Sequence, residues 1–198
     1  MKVNFLESAS KFLNIGGKRV THDTVAPTNP QNGDNWWEPG ARYPQPWEWD
    51  SSNSQWMSQI FPMTFGTLRH IPPMSGNQWN VWPQPIWFYT VTANRVKVVS
   101  GNIFVQTFAT AQVQGTNFIN FSVRYLLGTG TLTPLFVFPE DTGNNSTAMT
   151  ANGFRRINSN IDLYLPGNAW NLTFVYAVYG TPGEVHMTPV LWIRMARP

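Results

Sequence analysis

Short stretches in which apolar and polar residues alternate fill the second half of the chain, and this period constrains the fold more than any other feature. The stretch FINFSVRYLL (118–127) has an apolar residue at nearly every second position, with Asn120, Ser122 and Arg124 between them. Alternate side chains of a β-strand point to opposite faces of the sheet. The stretch therefore predicts a strand with one apolar face and one polar face.

Similar stretches follow one another from Ile86 onward, separated by turns rich in Gly, Asn, Thr and Pro. The predicted strands cover residues 86–93, 95–99, 102–113, 118–127, 132–138, 161–165, 170–179 and 186–196. No helical period lies between them, and the polar stretch 140–153 is the longest predicted loop. Many short strands without intervening helices are typical of sandwiches and barrels. We therefore expect an all-β protein in which residues 86–198 form a jelly-roll-type β-sandwich.

Tryptophans are concentrated in a second region, since five of the ten lie between residues 33 and 58. Frequent prolines there exclude long regular elements. Three short strands still fit, at residues 35–37, 46–50 and 55–58, with a turn at 51–54. We expect residues 21–68 to form a small Trp-rich β-hairpin module. Its predicted core consists of Trp36, Trp37, Trp47, Trp49 and Trp56.

The segments on either side of this module carry weaker patterns. In residues 1–20, the apolar side chains recur near the spacing of one helical face, and Gly16-Gly17 would end such a helix. We expect a short N-terminal helix or tether there that attaches the protein to a partner through Phe5, Leu6, Phe12 and Leu13. Residues 69–85 contain four prolines and predict a linker or long loop.

Residues that could carry catalysis are scattered along the chain. The three histidines lie at positions 22, 70 and 186, and none has a carboxylate or a second histidine at the spacing of a metal site. There is no cysteine, and no nucleophile or phosphate-binding motif occurs. We therefore expect no catalytic residue, no cofactor, no metal and no enzymatic activity.

The charge balance excludes further classes of function. Charged residues make up 12% of the chain, about half the usual share, and the net charge is +3. No run of Lys or Arg is present, so nucleic-acid binding is not expected. No apolar stretch is long enough to span a membrane, and the first residues lack the apolar region of a secretory signal. We expect a protein made in the cytoplasm that has no membrane partner.

Two groups of residues are candidates for contact with a ligand or another protein. Trp79, Trp82 and Trp87 either stack on sugar rings or seal the junction between the two modules. Arg155 and Arg156 form a cationic doublet just after the long predicted loop. The doublet is either a solvated edge, an ion-paired interface or an anion site.

Two motifs carry a family resemblance. Residues 27–58 contain P-x-x-P-x-x-G-D-x-W-W, then P-x-E-W-D and Q-W-M-S. This pattern resembles a small module of bacteriophage tail-fibre and related virion proteins. Residues 180–194 read G-T-P-G-x5-P-x-L-x-I-R and are similar to the β-sandwich that follows this module in proteins of cyanobacterial viruses and their hosts. The chain departs from the module at residues 43–46 and in its four-residue turn at 51–54.

The resemblance implies a structural role in a virion, commonly as a homotrimer, with no catalytic residues. We expect a short tail fibre or a baseplate and fibre adaptor that contacts other virion proteins and the host surface. The low charge and high aromatic content suit a protein whose surface is largely interface. A capsid decoration protein and a carbohydrate-binding module that recognises a surface glycan remain the alternatives.

Overall fold

Every regular element that the structure describes is a β-strand. The computed structural model describes residues 12–70, 79–81, 83, 85–87, 95–108, 118–127, 130–138, 153–179 and 184–197. These residues form two compact units. The first comprises residues 12–61 together with 194–197, and the second comprises residues 62–193 within the described ranges. The prediction of an all-β protein is confirmed.

The first unit is a small sheet of short strands. Its strands are β1 (Phe12–Ile15), β2 (Lys18–His22), β3 (Asn35–Trp37), β4 (Trp47–Asp50) and β5 (Gln55–Met57). They are ordered β1-β2-β3-β4-β5, and β5 then pairs with the end of the last strand, where Met57 lies opposite Ala196. All of these pairs are antiparallel except β2 with β3. The three strands predicted in the Trp-rich region correspond to β3, β4 and β5.

The N-terminal prediction of a helix is wrong where the structure describes it. Residues 12–15 form β1 and pair in antiparallel register with β2. Gly16 and Gly17 connect the strands with φ angles of +60° and +79°. Two consecutive left-handed residues form the tight turn whose twist matches a β-hairpin. The two glycines that were predicted to end a helix therefore form the turn of a β-hairpin. Residues 12–15 are a strand although the spacing of their apolar residues also suits a helix.

Three indoles form the core of the first unit. Trp36 is fully buried, and its ring centroid lies 5.6 Å from that of Trp56 and 6.3 Å from that of Trp47. Trp47 and Trp56 are buried as well, and the partly buried Trp49 packs on Trp56 at 5.3 Å. The inclusion of Trp37 in this core was wrong, because it is 43% exposed. Neighbouring residues of a strand face opposite sides of the sheet, so Trp36 and Trp37 cannot both point inward.

The Gly-Asp pair of the G-D-x-W-W motif fixes the entry to strand β3. The Asp34 carboxylate accepts hydrogen bonds from the backbone N–H groups of Arg19 and Gln31, both at 2.9 Å. The Arg19 guanidinium lies 3.4 Å from the same carboxylate. Gly33 has a φ of +81° and packs directly against the Lys18 side chain, so a Cβ there would be strained and crowded. The motif is thus explained by local backbone geometry, without reference to a ligand.

Arg194 holds the C-terminal strand to the hairpin of the first unit. Its Nε donates to the carbonyl oxygen of Ser58 at 2.6 Å, and its Nη2 donates to the Glu48 carboxylate at 3.0 Å. Ser58 is fully buried, so its carbonyl oxygen has no water to accept from instead. A charged donor to a buried carbonyl and a carboxylate is stronger than a hydrogen bond between neutral groups.

We expect Arg194→Ala to lower the free energy of unfolding by about 1.5–3 kcal/mol, because it removes two charge-assisted hydrogen bonds and leaves a buried carbonyl unpaired. Urea denaturation at neutral pH measures this loss. Arg194→Lys keeps the charge but not the planar fork of donors, so it should recover only part of the stability. A lysine variant as stable as the wild type would show that the charge alone matters.

The second unit is a two-sheet sandwich of longer strands. Its strands are β6 (Phe61–Thr64), β7 (Leu68–His70), β8 (Trp79–Val81), β9 (Ile86–Trp87), β10 (Val96–Thr107), β11 (Phe118–Leu127), β12 (Leu132–Val137), β13 (Phe154–Tyr164), β14 (Ala169–Tyr179) and β15 (Val185–Arg197). Residue 61 and residues 194–197 of the bounding strands belong to the first unit.

The order of the strands identifies the sandwich as a jelly roll. The first sheet has the order β7-β15-β10-β13, and β6 also pairs with β15. The second has the order β12-β11-β14 with β8 and β9 both pairing with β14. With β6 and β7 counted as one interrupted strand, and β8 and β9 as another, the second unit has eight strands, lettered B to I in chain order. They form the sheets BIDG and CHEF. This is the arrangement of two interlocked Greek keys that defines a jelly roll.

The sandwich begins before the predicted boundary. The second unit starts at Pro62 and not at Ile86, and residues 69–85 are not simply a linker. Strand β7 pairs with β15, and β8 pairs with β14. Both are edge strands of their sheets among the described residues. Edge strands and their interruptions tolerate proline because one side of the backbone has no partner strand, so the prolines of this region misled the prediction.

Several strand boundaries also differ from the prediction. Strand β10 joins the two predicted strands 95–99 and 102–113, and a register irregularity lies between Val98 and Ser100. Strand β13 starts at Phe154, well before the predicted 161–165. The sequence NSN (158–160) hides this strand, since polar residues occupy an exposed edge. Most of the predicted strand 86–93 and of the loop 140–153 lies outside the described residues.

Aromatic side chains fill the core of the sandwich. The Phe174 ring lies 4.8 Å from that of Phe65 and 5.9 Å from that of Phe138, and all three residues are buried. Gly101 faces the same core, where an added Cβ would come within 2.5 Å of the Phe138 ring and 3.2 Å of Leu191. Glycine at this position therefore allows the two sheets to approach closely.

Candidate interaction surface

An exposed aromatic surface lies on strands β10 and β13 of the first sandwich sheet. Phe154 is 68% exposed, and its ring stacks on that of Phe104 with the centroids 6.0 Å apart. The Arg156 guanidinium lies 5.4 Å from the Phe104 ring centroid and donates to the Asn102 Oδ1 at 3.0 Å. We call these four residues, Asn102, Phe104, Phe154 and Arg156, the Phe154 surface.

The charge of this surface is positive. Among the described residues, no carboxylate pairs with Arg156, whose partners are an amide oxygen and an aromatic ring. The aromatic ring and the amide oxygen together hold this guanidinium in a defined orientation. Arg155 lies opposite Val105 in the register, and its side chain is outside what the structure describes. The structure thus places Arg156, one of the two predicted arginines, on a defined surface.

The other members of the Phe154 surface were not predicted from the sequence. Both faces of β10 carry apolar residues, with Ile103 and Val105 buried on one and Phe104 on the other. The alternation of apolar and polar residues therefore gave no indication of which face is exposed. The only available signal was the adjacency of Phe154 to the arginine doublet.

The C-terminal end of β13 has features that disfavour pairing with a strand of another chain. Asp162 has a φ of +48°, and an irregularity of the β10 register lies opposite it. Its carboxylate pairs with Lys97 at 2.8 Å. Bulges and charged residues are two devices by which sheet edges avoid pairing with other chains. Contacts at this side of the sandwich are therefore expected through the side chains of the Phe154 surface and not through an added strand.

The second sheet carries a polar layer that is buried. Asn120, Ser122, Asn171 and Thr173 are all buried, and the first two lie on the face of β11 that the sequence predicted to be polar. Ser122 donates to the Phe136 carbonyl oxygen at 3.1 Å, and Asn171 accepts from the Leu126 N–H at 3.2 Å. The polar groups on this face are thus used largely within the sheet.

The sequence-predicted tryptophans lie at the edge of this same sheet. Trp79 is the register partner of Ala177, and Trp87 is the register partner of Asn171. Directly paired residues of antiparallel strands share a face, so these register positions belong to the polar face of the sheet. The side chains of Trp79 and Trp87, and the whole of Trp82, are outside the described part of the chain, as are Phe5 and Leu6. Phe12 and Leu13 lie in β1, and only their backbone is described.

A small ionic cluster lies at the start of β15. The Glu184 carboxylate is 2.8 Å from the Arg69 Nε and 3.2 Å from the His186 Nε2. The hydrogen bond from Arg69 lowers the pKa of Glu184 below its ordinary value of 4.5, and the charge of Arg69 and the hydrogen bond with His186 add to this effect. The cluster links Arg69 of β7 to His186 of β15 through Glu184. Its contacts account for these residues by a structural role.

A carboxylate whose pKa is lower in the folded than in the unfolded protein stabilises the fold at pH values above the unfolded-state pKa. This stabilisation is lost as the pH falls through the folded-state pKa. We therefore expect the wild type to be more stable than Glu184→Gln near neutral pH. The difference should shrink as the pH falls below about 4.5. Thermal unfolding midpoints measured from pH 3 to pH 7 test this. Parallel curves for the two proteins would show that Glu184 is not coupled to folding.

Two further properties of the described residues bear on function. They contain no group of three or more His, Cys, Asp or Glu residues that could hold a metal ion. No helix in the part of the chain that the structure describes is long and apolar enough to cross a membrane.

Comparison with known proteins identifies no family. No protein-family model matches the sequence, and no curated protein matches it either. Among solved structures, the infectious bursal disease virus VP2 subviral particle is 12% identical with a TM-score of 0.42, covering 86% of this chain and 40% of that one. The Gx strain of the same virus is 10% identical with a TM-score of 0.41, covering 82% and 37%.

A bacterial structure is also similar. The CBM22-1 and GH10 modules of xylanase 10B from Clostridium thermocellum, complexed with xylohexaose, are 16% identical with a TM-score of 0.36. The match covers 69% of this chain and 26% of that one. The chain therefore spans less than half the length of each of these three structures. At these scores the likeness does not extend to function.

Proposed function

We propose that the protein is a non-enzymatic structural component of a phage virion, a short tail fibre or an adaptor between fibre and baseplate. The observation that carries the proposal is the combination of a jelly roll with a separate indole-cored β-module in one chain. Jelly rolls recur in viral capsid proteins and lectins. The module carries the motif that resembles tail-fibre proteins, and the structure accounts for its residues by packing and turn geometry.

The surface of the described residues supports a role in assembly. Phe154 is 68% exposed and stacks on Phe104, so two aromatic side chains lie together on this surface. Aromatic residues and arginine are enriched at protein interfaces, and the Phe154 surface combines both. We propose that this surface forms contacts between protomers of a homotrimer, which is the oligomeric state that the resemblance to tail-fibre proteins implies.

Native mass spectrometry of the intact chain tests self-association. The wild type should be a trimer, and Phe154→Ser should shift the population toward monomer. Leu163→Ser is a matched control, because Leu163 is 40% exposed on the same strand but outside the Phe154 surface. A wild type that is strictly monomeric at micromolar concentration would overturn the trimeric proposal. Equal effects of the two substitutions would place the contact elsewhere on the strand.

Locating the chain in a particle tests the virion assignment itself. Antibody labelling of purified phage particles, or a particle reconstruction, should place the protein at the tail. Density on the capsid surface would favour the alternative role of a decoration protein. Absence of the chain from purified particles would overturn both roles.

A carbohydrate-binding module is the alternative function. Trp79 and Trp87 lie on β8 and β9, which pair with β14 at the edge of the second sheet, and lectins are among the proteins with jelly-roll folds. Glycan-array binding that disappears in Trp79→Ala or Trp82→Ala would support this alternative. Binding that persists in both variants would exclude the tryptophans as its site.

A further inference from the structure

The Trp-rich module has a cleft beside its buried core. The cleft has a volume of about 260 Å³ and lies entirely within the first unit. The residues that line it include Glu38, Arg42, Tyr43, Trp47 and Arg197. We propose that this cleft binds an acidic saccharide, a sugar unit that carries a carboxylate.

The wall and floor of the cleft are aromatic. The half-buried Tyr43 ring stands edge-on to Trp47, with the centroids 6.3 Å apart and the planes at 86°. On another side, Tyr43 stacks on Phe61 at 6.0 Å, which fixes the orientation of its ring. A rigid aromatic wall with part of its surface open suits the apolar C–H face of a sugar ring. Pockets for small ligands commonly combine such walls with a few placed polar groups.

Glu38 provides hydrogen-bond acceptors that are held in place. Its carboxylate pairs with Arg197 through one oxygen and accepts from the Trp47 Nε1 at 3.1 Å through the other. The Gln45 side chain donates to the Glu38 carbonyl oxygen at 2.7 Å, which also fixes the backbone there. A carboxylate has about four lone-pair sites, and two of these are used. The remaining sites can accept from the hydroxyl groups of a sugar.

Arg42 provides the charge that selects an acid. Its guanidinium is exposed and lies 5.8 Å from the Tyr43 ring centroid. Within the described part of the chain, no carboxylate pairs with it, in contrast to Arg197, whose charge Glu38 balances. One unbalanced cation at the mouth of an aromatic cleft favours an anionic ligand, and a planar guanidinium matches a carboxylate in two hydrogen bonds. The cleft thus combines the Glu38 oxygens, which can accept from hydroxyl groups, with an aromatic wall and the Arg42 guanidinium. This combination suits an acidic sugar better than an acidic peptide.

This inference is independent of the virion proposal, because it concerns one chain and its test uses no particle. Isothermal titration of the intact protein with the α-1,4-linked trimer of galacturonic acid is the measurement, and the corresponding galactose trimer is the neutral probe. The acidic trimer should bind at least about ten-fold more tightly than the neutral one, as expected for a charge-assisted hydrogen bond. Raised salt should weaken the binding.

Arg42→Gln and Tyr43→Ala should each weaken binding of the acidic trimer by about ten-fold or more. Lys18→Gln is the matched control, since it removes an exposed cation of the same unit that does not line the cleft. Thermal unfolding of each variant establishes that it is folded, and Tyr43→Phe, which keeps the ring, should bind nearly as the wild type does. Three outcomes would overturn the proposal: no binding of the acidic trimer, equal binding of the neutral trimer, or undiminished binding in Arg42→Gln.

Discussion

Replacing Trp36 by alanine is expected to lower the free energy of unfolding of the first unit by about 3–5 kcal/mol. Trp36 is fully buried and contacts both of the other core indoles. Its Nε1 also donates to the Asp23 carbonyl oxygen at 2.7 Å, so truncation removes a hydrogen bond together with the packing. Domains are stable by only about 5–15 kcal/mol, and a unit this small is expected to lose most of its stability.

Trp37→Ala is the matched control for this experiment. The two tryptophans are adjacent in β3, yet Trp37 is 43% exposed. Its truncation should cost less than about 1 kcal/mol, because it leaves no cavity. Near-ultraviolet circular dichroism during urea denaturation reports on the tryptophan environment and measures both variants. Similar losses at the two positions would contradict the assignment of one inward and one outward indole.

Truncation of Phe174 is expected to have an effect of the same size in the sandwich, a loss of about 3–5 kcal/mol for Phe174→Ala. The ring is buried between those of Phe65 and Phe138, and the close approach of the sheets at Gly101 limits how far the core can collapse around a cavity. The cost of a cavity is largest where the surroundings cannot relax into it. Guanidinium denaturation followed by far-ultraviolet circular dichroism measures the loss.

Phe154→Ala is the matched control for Phe174→Ala, because Phe154 is an exposed phenylalanine of the same sandwich. Phe154 is 68% exposed, so its truncation in the monomer should change stability by less than about 1 kcal/mol. A loss comparable to that of Phe174→Ala, measured at a concentration where the protein is monomeric, would mean that Phe154 packs within its own chain. In that case the Phe154 surface would not be an interface.

The strands with the strongest alternation were predictable within a residue or two. Residues 118–127, 132–138 and 170–179 became β11, β12 and β14 with nearly the predicted bounds. The hairpin of β4 and β5 and its turn were predicted for the same reason, since prolines and short polar residues left few other solutions. Local patterns were sufficient in these segments because burial and turn geometry favour the same structure.

Edge strands and the N-terminal hairpin were not predictable in this way. Strands β7 and β8 carry no strong alternation, and they form because β15 and β14 present free edges to them. The residues 12–15 pair with β2 although their spacing also suits a helix. A short apolar segment forms a strand or a helix according to the neighbouring element that it packs against. The sequence of the segment alone does not indicate which element that is.

The residues of the candidate sites were likewise predictable only in part. Arg156 was identifiable as part of an arginine doublet, whereas Asn102 and Phe104 join it only through the register of β10 with β13. The cleft was not predictable at all, because Arg197 reaches Glu38 from the opposite end of the chain. The tryptophan-rich stretch was expected to be only a core, yet one edge of that core lines the cleft.

The sequence by itself determined the all-β class, the central strands of the sandwich and an indole core near Trp36, because these follow from period, turn residues and the need to bury large apolar side chains. Only the tertiary structure decided which indole faces outward, which polar residues are buried and which charges meet. Those outcomes depend on pairing between segments far apart in the chain. No local pattern carries the register of such pairings, and a shift of one residue would exchange the two faces of a strand.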